Sequence, residues 1–401
     1  MKVSTVSVAL AAVWLVFLSS DMARTYFDQL PEESTLFEDT TTLEFKPKSD
    51  QEITFDIRDD IRRGQEFLRD KVAGSALVME EKRVTFFDKK GRKRERLISE
   101  KVLKPNFLLA VEDLKERKIL PVHITSEGWV TSGFEVTKSR GIGVGSRFEV
   151  KYPENMAVLA LRTTVRSEKN SFKEVVYTPY SPEIDTWSVR KAGLDYLVGQ
   201  IERAHNDLAA RHVKLSGFDR LADDITPAEL SLVLSIIEHI DPVRFENCQE
   251  GKELALVHEV LTIIGANTTD AYAYSKSPAG ARGLFQLSPD TYKRLRAKYP
   301  KGGLTKDFVA GCTDHVNAAK ASMLLFDSDL GDLSRDRLSA MRKNLRSIGM
   351  YIAAAYNCGS GKVQRSARVC GARWTCRLPE ETKIYLKKFD VVWDLRKILD
   401  R

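Results

Sequence analysis

The sequence predicts an α+β protein in which a β-rich module precedes a domain built of helices. The spacing of apolar residues changes from period two to helical spacing near Tyr180-Ser-Pro-Glu183. A length of 401 residues with 43% apolar and 30% charged residues is enough for two or three domains with separate cores. We therefore place the β-rich module over residues 51–182 and the helical domain over residues 186–401.

The N-terminus carries an uncharged run from Val3 to Leu18, preceded by Lys2 and followed by Asp21. This pattern is typical of a signal peptide, and the run is also just long enough to remain as a membrane anchor. Both interpretations of residues 1–20 stay open, and under either one we expect the rest of the chain to be exported. The acidic, threonine-rich residues 21–50 are expected to form a tether.

Strand-like alternation occurs in the β-rich module at Ile53–Ile57, Arg83–Phe87 and Phe148–Tyr152. The basic hexamer Lys89–Arg94 follows one of these segments and predicts a hairpin turn. We interpret the hexamer as a solvated turn, with contact to an anionic glycan or a membrane as the alternative. The module contains no motif that carries chemistry, so the sequence leaves its role open.

The helical domain begins with apolar residues at helical spacing between residues 186 and 212. A second helix is predicted from the N-cap residue Thr226, and Pro242 is expected to end it. Glu238 then falls in the last turn of this helix, beside apolar residues such as Ile237. Removal from water disfavours the charged form of a carboxyl group, so we expect a raised pKa for Glu238.

A glycine-rich loop, Ser277–Tyr292, is the most informative segment of the domain. Gly280 and Gly283 allow the backbone to approach a ligand closely. The amide of Gln286 can donate and accept hydrogen bonds, which suits the hydroxyl and acetamide groups of a sugar. The loop therefore predicts a sugar-binding groove.

Three blocks in order, namely this loop, Ala354–Gly361 and Leu378–Thr382 with Tyr385, resemble the signature of lytic transglycosylases with a goose-lysozyme-like domain (soluble lytic transglycosylases, SLT). The resemblance covers residues 225–392 and implies a helical lysozyme-like fold. It further implies cleavage of the β-1,4 bond between MurNAc and GlcNAc in peptidoglycan. A single glutamate would act as acid and then as base, leaving 1,6-anhydro-MurNAc.

The resemblance also implies a set of substrate-binding residues and a place of action. The glycan strands of peptidoglycan are the expected partner, in the periplasm, with attachment to the inner membrane if residues 3–20 are retained. A structural role is an equal alternative for Thr382 and Tyr385. The binding residues implied are Ser277, Gln286, Tyr356, Asn357, Thr382 and Tyr385.

One departure from the signature concerns the catalytic acid. The stretch shortly before the glycine loop, where the family has its glutamate, is Ala266-Asn267-Thr268 here. Glu238 is the first candidate for the acid, and Glu259, in the middle of a predicted helix, is the second. The third possibility is a domain that binds glycan without cutting it. A lysozyme-type hydrolase is a further alternative, in which Asp270 or Asp241 would position water.

Charge, cysteine content and short motifs indicate which partners, disulfides and metal or cofactor sites to expect. A net charge of +7 favours acidic partners, among them nucleic acid, anionic lipid and the carboxylates of peptidoglycan, and does not choose among them. The resemblance implies peptidoglycan and no nucleic acid. All five cysteines lie in the C-terminal half, where Cys370 and Cys376 are the expected disulfide and a second bridge is plausible. The spacing of cysteine and histidine predicts no metal site, and the chain contains no cofactor fingerprint.

Overall fold

A computed structural model describes two compact units, divided between Thr186 and Trp187. The predicted α+β class is confirmed, because strands predominate in the first unit and helices in the second. The signal peptide or anchor predicted over 1–20 and the tether predicted over 21–50 lie outside the described residues. The described residues are 57–87, 92–139, 145–166, 171–220, 227–334 and 345–399.

The first unit contains a four-stranded antiparallel sheet in the order β4-β3-β7-β8, together with two separate antiparallel pairs, β1-β2 and β5-β6. The strands predicted at 83–87 and 148–152 are confirmed within β1 and as β6. The bounds are β1 (Ala76–Phe87), β2 (Lys93–Lys104), β3 (Phe107–Asp113), β4 (Lys118–Ile124), β5 (Glu135–Lys138), β6 (Phe148–Tyr152), β7 (Met156–Arg166) and β8 (Phe172–Tyr177).

The strand predicted at Ile53–Ile57 is wrong at its last residue, and the rest of it lies outside the described residues. Ile57 begins helix α1 (Ile57–Arg69), with Asp59 and Asp60 in its first turn. Acidic residues interact favourably with the N-terminal end of a helix, and the helix buries apolar residues at helical spacing. At Ile57 the longer helical pattern that follows therefore overrides the short alternation seen in the sequence.

Helix α1 packs closely on the four-stranded sheet. A Cβ atom at Gly64 would lie 2.5 Å from Leu159 Cβ, so glycine permits the close approach of helix and strand. Alternate residues of β3 face opposite sides of the sheet, so Leu108 packs in the cluster with Leu68 of α1, while Leu109 packs in the cluster on the other face.

The second unit is built of helices around a central, almost completely buried helix, α8. The helix predicted between 186 and 212 is confirmed as α2. The helices are α2 (Trp187–Ala210), α3 (Pro227–Ile237), α4 (Pro242–Glu246), α5 (Leu254–Asn267), α6 (Pro289–Lys298), α7 (Phe308–Thr313), α8 (His315–Gly331), α9 (Leu345–Cys358), α10 (Ser360–Cys370) and α11 (Glu380–Leu399).

Helices α2 and α5 cross with their backbones in contact. A Cβ atom at Gly193 would lie 2.0 Å from the carbonyl oxygen of Leu261, and one at Gly265 would lie 2.0 Å from that of Val189. Because real Cβ atoms do not come so close, this crossing requires glycine on both helices. The contact sets α5 firmly against α2 in the core of the unit.

The end of α3 differs from the prediction. The helix ends at Ile237, and the N–H group of Glu238 donates its final helical hydrogen bond to Leu234, at 3.1 Å. Pro242 does not end this helix but begins α4, where its missing N–H group is tolerated in the first turn. Asp241 caps α4 by accepting a hydrogen bond from the N–H group of Arg244 at 2.9 Å.

The expected disulfide between Cys370 and Cys376 is present. The second bridge is not formed, and Cys248, Cys312 and Cys358 are free thiols. Cys312 is fully buried in the apolar core of the helical unit, where its neighbours are hydrophobic side chains. Within the described part of the chain, no helix combines the length and the apolar character needed to cross a membrane.

Candidate functional site

Glu238 lies just beyond the end of α3, where its carboxyl group meets α11. Tyr385 donates a hydrogen bond from its hydroxyl group to Glu238 Oε1 over 2.5 Å. Burial of the carboxyl group raises its pKa to about 7, although the Tyr385 hydrogen bond and the charge of Lys388 both act to lower it. Glu238 still retains partial exposure to solvent. The group can therefore exchange a proton near neutral pH.

Lys388 lies one turn further along α11 and is 5% exposed. Its ammonium group donates a hydrogen bond to the carbonyl oxygen of Ile240. Burial lowers the pKa of Lys388, and the nearby Glu238 acts in the opposite direction. The lysine thus holds the segment after α3 against α11 and places a positive charge near Glu238 without a direct ion pair to it.

His239 connects this segment to the glycine loop. Because a carbonyl oxygen only accepts, the ring donates from Nε2 to Leu284 over 2.9 Å. The ring also stacks on Tyr272, with centroids 3.5 Å apart and planes 13° apart. Burial lowers the pKa of His239 to about 3, so the ring is neutral at physiological pH. Sequence reasoning missed this role, and its only signal was the position of His239 next to Glu238.

The glycine loop is held against α7 by a very close backbone contact. Gly283 has φ +71°, and a Cβ atom there would lie 2.0 Å from the carbonyl oxygen of Cys312. Gln286 also adopts a positive φ of 43°, and its Nε2 donates to Ser275 Oγ at 3.0 Å and to the Gly283 carbonyl oxygen at 2.7 Å. The amide nitrogen therefore braces the loop. Among the described residues nothing donates a hydrogen bond to Gln286 Oε1, which leaves this oxygen as its acceptor for a ligand.

Ser277 closes a tight turn at the beginning of the loop. Its Oγ accepts a hydrogen bond from the N–H group of Ala281 at 3.0 Å, and its own N–H group donates to the Ala281 carbonyl oxygen at 2.9 Å. Gly280, with φ +85°, lies inside this turn. The contacts give Ser277 a structural role in shaping the loop.

Tyr356 joins the second sequence block to the loop. It lies in the last turn of α9 and donates a hydrogen bond from its hydroxyl group to the carbonyl oxygen of Phe285. Its ring packs against Phe326 with centroids 5.8 Å apart. Burial raises the pKa of Tyr356 well above its ordinary value, and the nearby charge of Glu238 adds to this shift. The phenol therefore stays protonated and serves as a fixed donor.

The second and third blocks are joined by Asn357 and Thr382. The Thr382 hydroxyl group donates to Asn357 Oδ1 over 2.6 Å, and Thr382 is fully buried. This contact connects the end of α9 to the beginning of α11. The structure therefore gives Thr382 a structural role, in agreement with one of its two interpretations. Hydrogen bonds join the loop to the second block, the second block to the third, and the third block to Glu238.

Glu259, the second candidate acid, lies in the middle of α5, as predicted. Its Oε2 forms an ion pair with Arg244 Nη1 over 2.7 Å, and its side chain is only 13% exposed. This contact connects α5 to α4 and engages the carboxylate in packing. The geometry thus favours Glu238 over Glu259 as the group available for proton transfer.

The described residues contain no cluster of three histidine, cysteine or acidic side chains that would suit a metal ion. Comparison of the chain with protein-family models, with curated proteins and with solved structures gives no match. The chemistry of the site consequently rests on its own geometry. A carboxyl group that is mostly buried, with a pKa near 7, accepts a hydrogen bond from a buried phenol where the segment after α3 meets α11.

Proposed function

We propose that the helical unit is a peptidoglycan lytic transglycosylase with a lysozyme-like arrangement of helices and Glu238 as its single acid and base. The observation that carries the proposal is the hydrogen bond between Tyr385 and Glu238, with the pKa of the glutamate raised to about 7. A general acid is most effective when its pKa lies near the working pH. Hydrogen bonds connect the three motif blocks that resemble the transglycosylase signature, and the third block contacts this group through Tyr385.

In the proposed reaction, protonated Glu238 donates its proton to the oxygen of the bond between MurNAc and GlcNAc as that bond breaks. The acetamide oxygen of MurNAc stabilises the developing positive charge at its own anomeric carbon. The Glu238 carboxylate then accepts the proton of the 6-hydroxyl group, whose oxygen bonds to the same carbon. The product is a 1,6-anhydro ring, and Glu238 is protonated again for the next turnover.

Tyr385 supports the carboxylate stage of this cycle, because its hydroxyl group donates to the charged form of Glu238. Gln286 offers its Oε1 to an acetamide N–H group or a sugar hydroxyl group. Tyr356, Asn357 and Thr382 act by holding the wall of the groove in place. The proposed partner is peptidoglycan in the periplasm, to which residues 3–20 would deliver or anchor the chain.

Product analysis tests this proposal. Purified peptidoglycan digested by the full chain is expected to yield muropeptides ending in 1,6-anhydro-MurNAc, measured by mass spectrometry. Reducing ends would instead indicate a hydrolase that uses water, with Asp270 the remaining candidate because Asp241 caps α4. Uncut peptidoglycan that retains the protein in a sedimentation assay would indicate a glycan-binding protein.

The rate of cleavage is expected to fall about tenfold per pH unit above pH 7, because only the protonated form of Glu238 donates a proton. Tyr385→Phe removes a hydrogen bond that lowers the pKa of this group, so the alkaline limb should move to higher pH while the rate decreases. Initial rates of muropeptide release between pH 5 and about pH 9 measure both effects.

Tyr299→Phe is the matched control for this profile. Tyr299 also donates its hydroxyl hydrogen bond to a carboxylate, Asp327, over 2.7 Å, but does so away from Glu238. In the Tyr299→Phe variant the cleavage rate should still begin to fall near pH 7. An unmoved limb in Tyr385→Phe, or an equal shift in the control, would contradict the assignment of this limb to Glu238.

A further inference from the structure

The first unit contains a long β-ribbon formed by β1 and β2 alone. The strands pair along their whole length, from Ala76 opposite Lys104 to Phe87 opposite Lys93. At about 3.4 Å per residue the ribbon is roughly 40 Å long. A two-stranded ribbon with solvent on both faces is only marginally stable in water, so this feature is costly unless something contacts it.

Large apolar side chains are exposed at the distal end of the ribbon. Phe86 is 44% exposed and Phe87 is 72% exposed. Because consecutive residues of a strand point to opposite faces, the two rings lie on opposite sides of the ribbon. Leu97 extends the exposed apolar surface along β2 and is 54% exposed. Exposed apolar groups arranged in this way indicate an interaction site.

Positive charge surrounds the two rings. Arg94 is the cross-strand partner of Phe86, and Lys93 is the partner of Phe87, so each face presents an aromatic ring beside a cation. Arg92 and Arg96 are also basic, and Glu95 is the only acidic residue between positions 92 and 96. All five residues of this stretch are exposed. The partner is therefore expected to be anionic and to accept apolar side chains.

We propose that the distal end of the ribbon, Phe86 with Phe87 and residues 92–96, inserts into the surface of an anionic lipid membrane. A protein or glycan lying flat against the ribbon would cover only one of the two rings. A lipid surface that receives the ribbon end-on covers both, and places the arginine and lysine side chains at the phosphate groups. The proposal does not depend on the activity of the helical unit.

Co-sedimentation of the full chain with phosphatidylcholine vesicles, with and without phosphatidylglycerol, tests the proposal. Binding should strengthen with phosphatidylglycerol and weaken with salt. Arg94→Gln with Arg96→Gln should lower the phosphatidylglycerol-dependent affinity about 30-fold, at about 1 kcal/mol per basic residue. Phe86→Ser with Phe87→Ser should lower it at least about tenfold. The apolar run 3–20 is the same in every variant.

The matched control is Lys214→Gln with Lys301→Gln, which removes the same charge from exposed positions of the helical unit. Its affinity should stay within about twofold of the unaltered chain; a loss equal to that of the arginine pair would overturn the proposal. Hydrogen exchange gives a second measurement, since amides of residues 92–104 should exchange more slowly with phosphatidylglycerol vesicles. Unchanged exchange of these amides in protein that sediments with the vesicles would refute the proposal. Slower exchange of the same amides without lipid, caused by self-association of the protein, would also refute it.

Discussion

Replacing Glu238 with glutamine is expected to lower the rate of glycan cleavage by about 10²–10⁴-fold, the contribution typical of a general acid. Glutamine retains the shape of the side chain and can still accept the Tyr385 hydrogen bond, but its amide cannot transfer a proton to the leaving oxygen at neutral pH. The measurement is the initial rate of anhydro-muropeptide release from purified peptidoglycan. Binding of uncut glycan should change little, because the rest of the groove is preserved.

Glu259→Gln is the matched control, since it makes the same substitution at the other candidate acid. It should leave the cleavage rate within about twofold and lower the free energy of unfolding by about 1 kcal/mol, through loss of the ion pair with Arg244. The opposite pattern, with an active Glu238→Gln and an inactive Glu259→Gln, would transfer the role of acid to Glu259. Full activity in both variants would rule out both glutamates.

Replacing Gly283 with alanine is expected to have the largest effect on stability, lowering the free energy of unfolding by about 2–5 kcal/mol. The backbone at this position has φ +71°, which disfavours any residue with a Cβ atom. That atom would also lie 2.0 Å from the carbonyl oxygen of Cys312, so the loop must move away from α7. Urea denaturation followed by circular dichroism measures the loss.

Gly280→Ala separates the two causes of this effect. Gly280 has a similar φ of +85°, but the nearest atom to its Cβ position is Pro289 Cγ at 3.8 Å, an ordinary contact. Its cost should be limited to the backbone contribution of about 1–2 kcal/mol. If the two alanine variants proved equally stable, the close contact between the loop and Cys312 would not contribute to the stability of the site.

Movement of the loop in Gly283→Ala should also affect the groove. Phe285 and Gln286 lie two and three residues after Gly283, and the Phe285 carbonyl oxygen is the acceptor for Tyr356. Folded Gly283→Ala protein is therefore expected to bind glycan more weakly, whereas Gly280→Ala should retain binding. Sedimentation with peptidoglycan at a temperature where both variants remain folded distinguishes the two.

Local sequence patterns predicted much of the fold because each depends on neighbouring residues only. The change of apolar spacing near Tyr180 located the transition from strands to helices, and the small loop between Cys370 and Cys376 predicted their disulfide. The strand prediction was wrong at Ile57 because a five-residue alternation is too short to distinguish a strand from the start of a helix. The prediction that Pro242 ends a helix was wrong because proline is as suitable for beginning a helix as for ending one.

The candidate site could be predicted only in its parts. The sequence placed Glu238 near a helix end and identified the glycine loop as a distinct block. Beyond the position of His239 next to Glu238, it contained no signal that His239 would hold Leu284, or that the amide nitrogen of Gln286 would be used within its own loop. Such contacts join residues that are distant in the chain, or depend on a backbone conformation that residue type alone does not reveal.

By itself the sequence determined which residue types are present and which short segments become helices, strands and turns, because these follow from local periodicity and backbone preference. Only the tertiary structure decided which glutamate is desolvated and what contacts it. Tyr385 reaches Glu238 across 147 residues of sequence, while Arg244 engages Glu259. A raised pKa results from burial and from the groups that surround a carboxyl, and both exist only once the helices have packed.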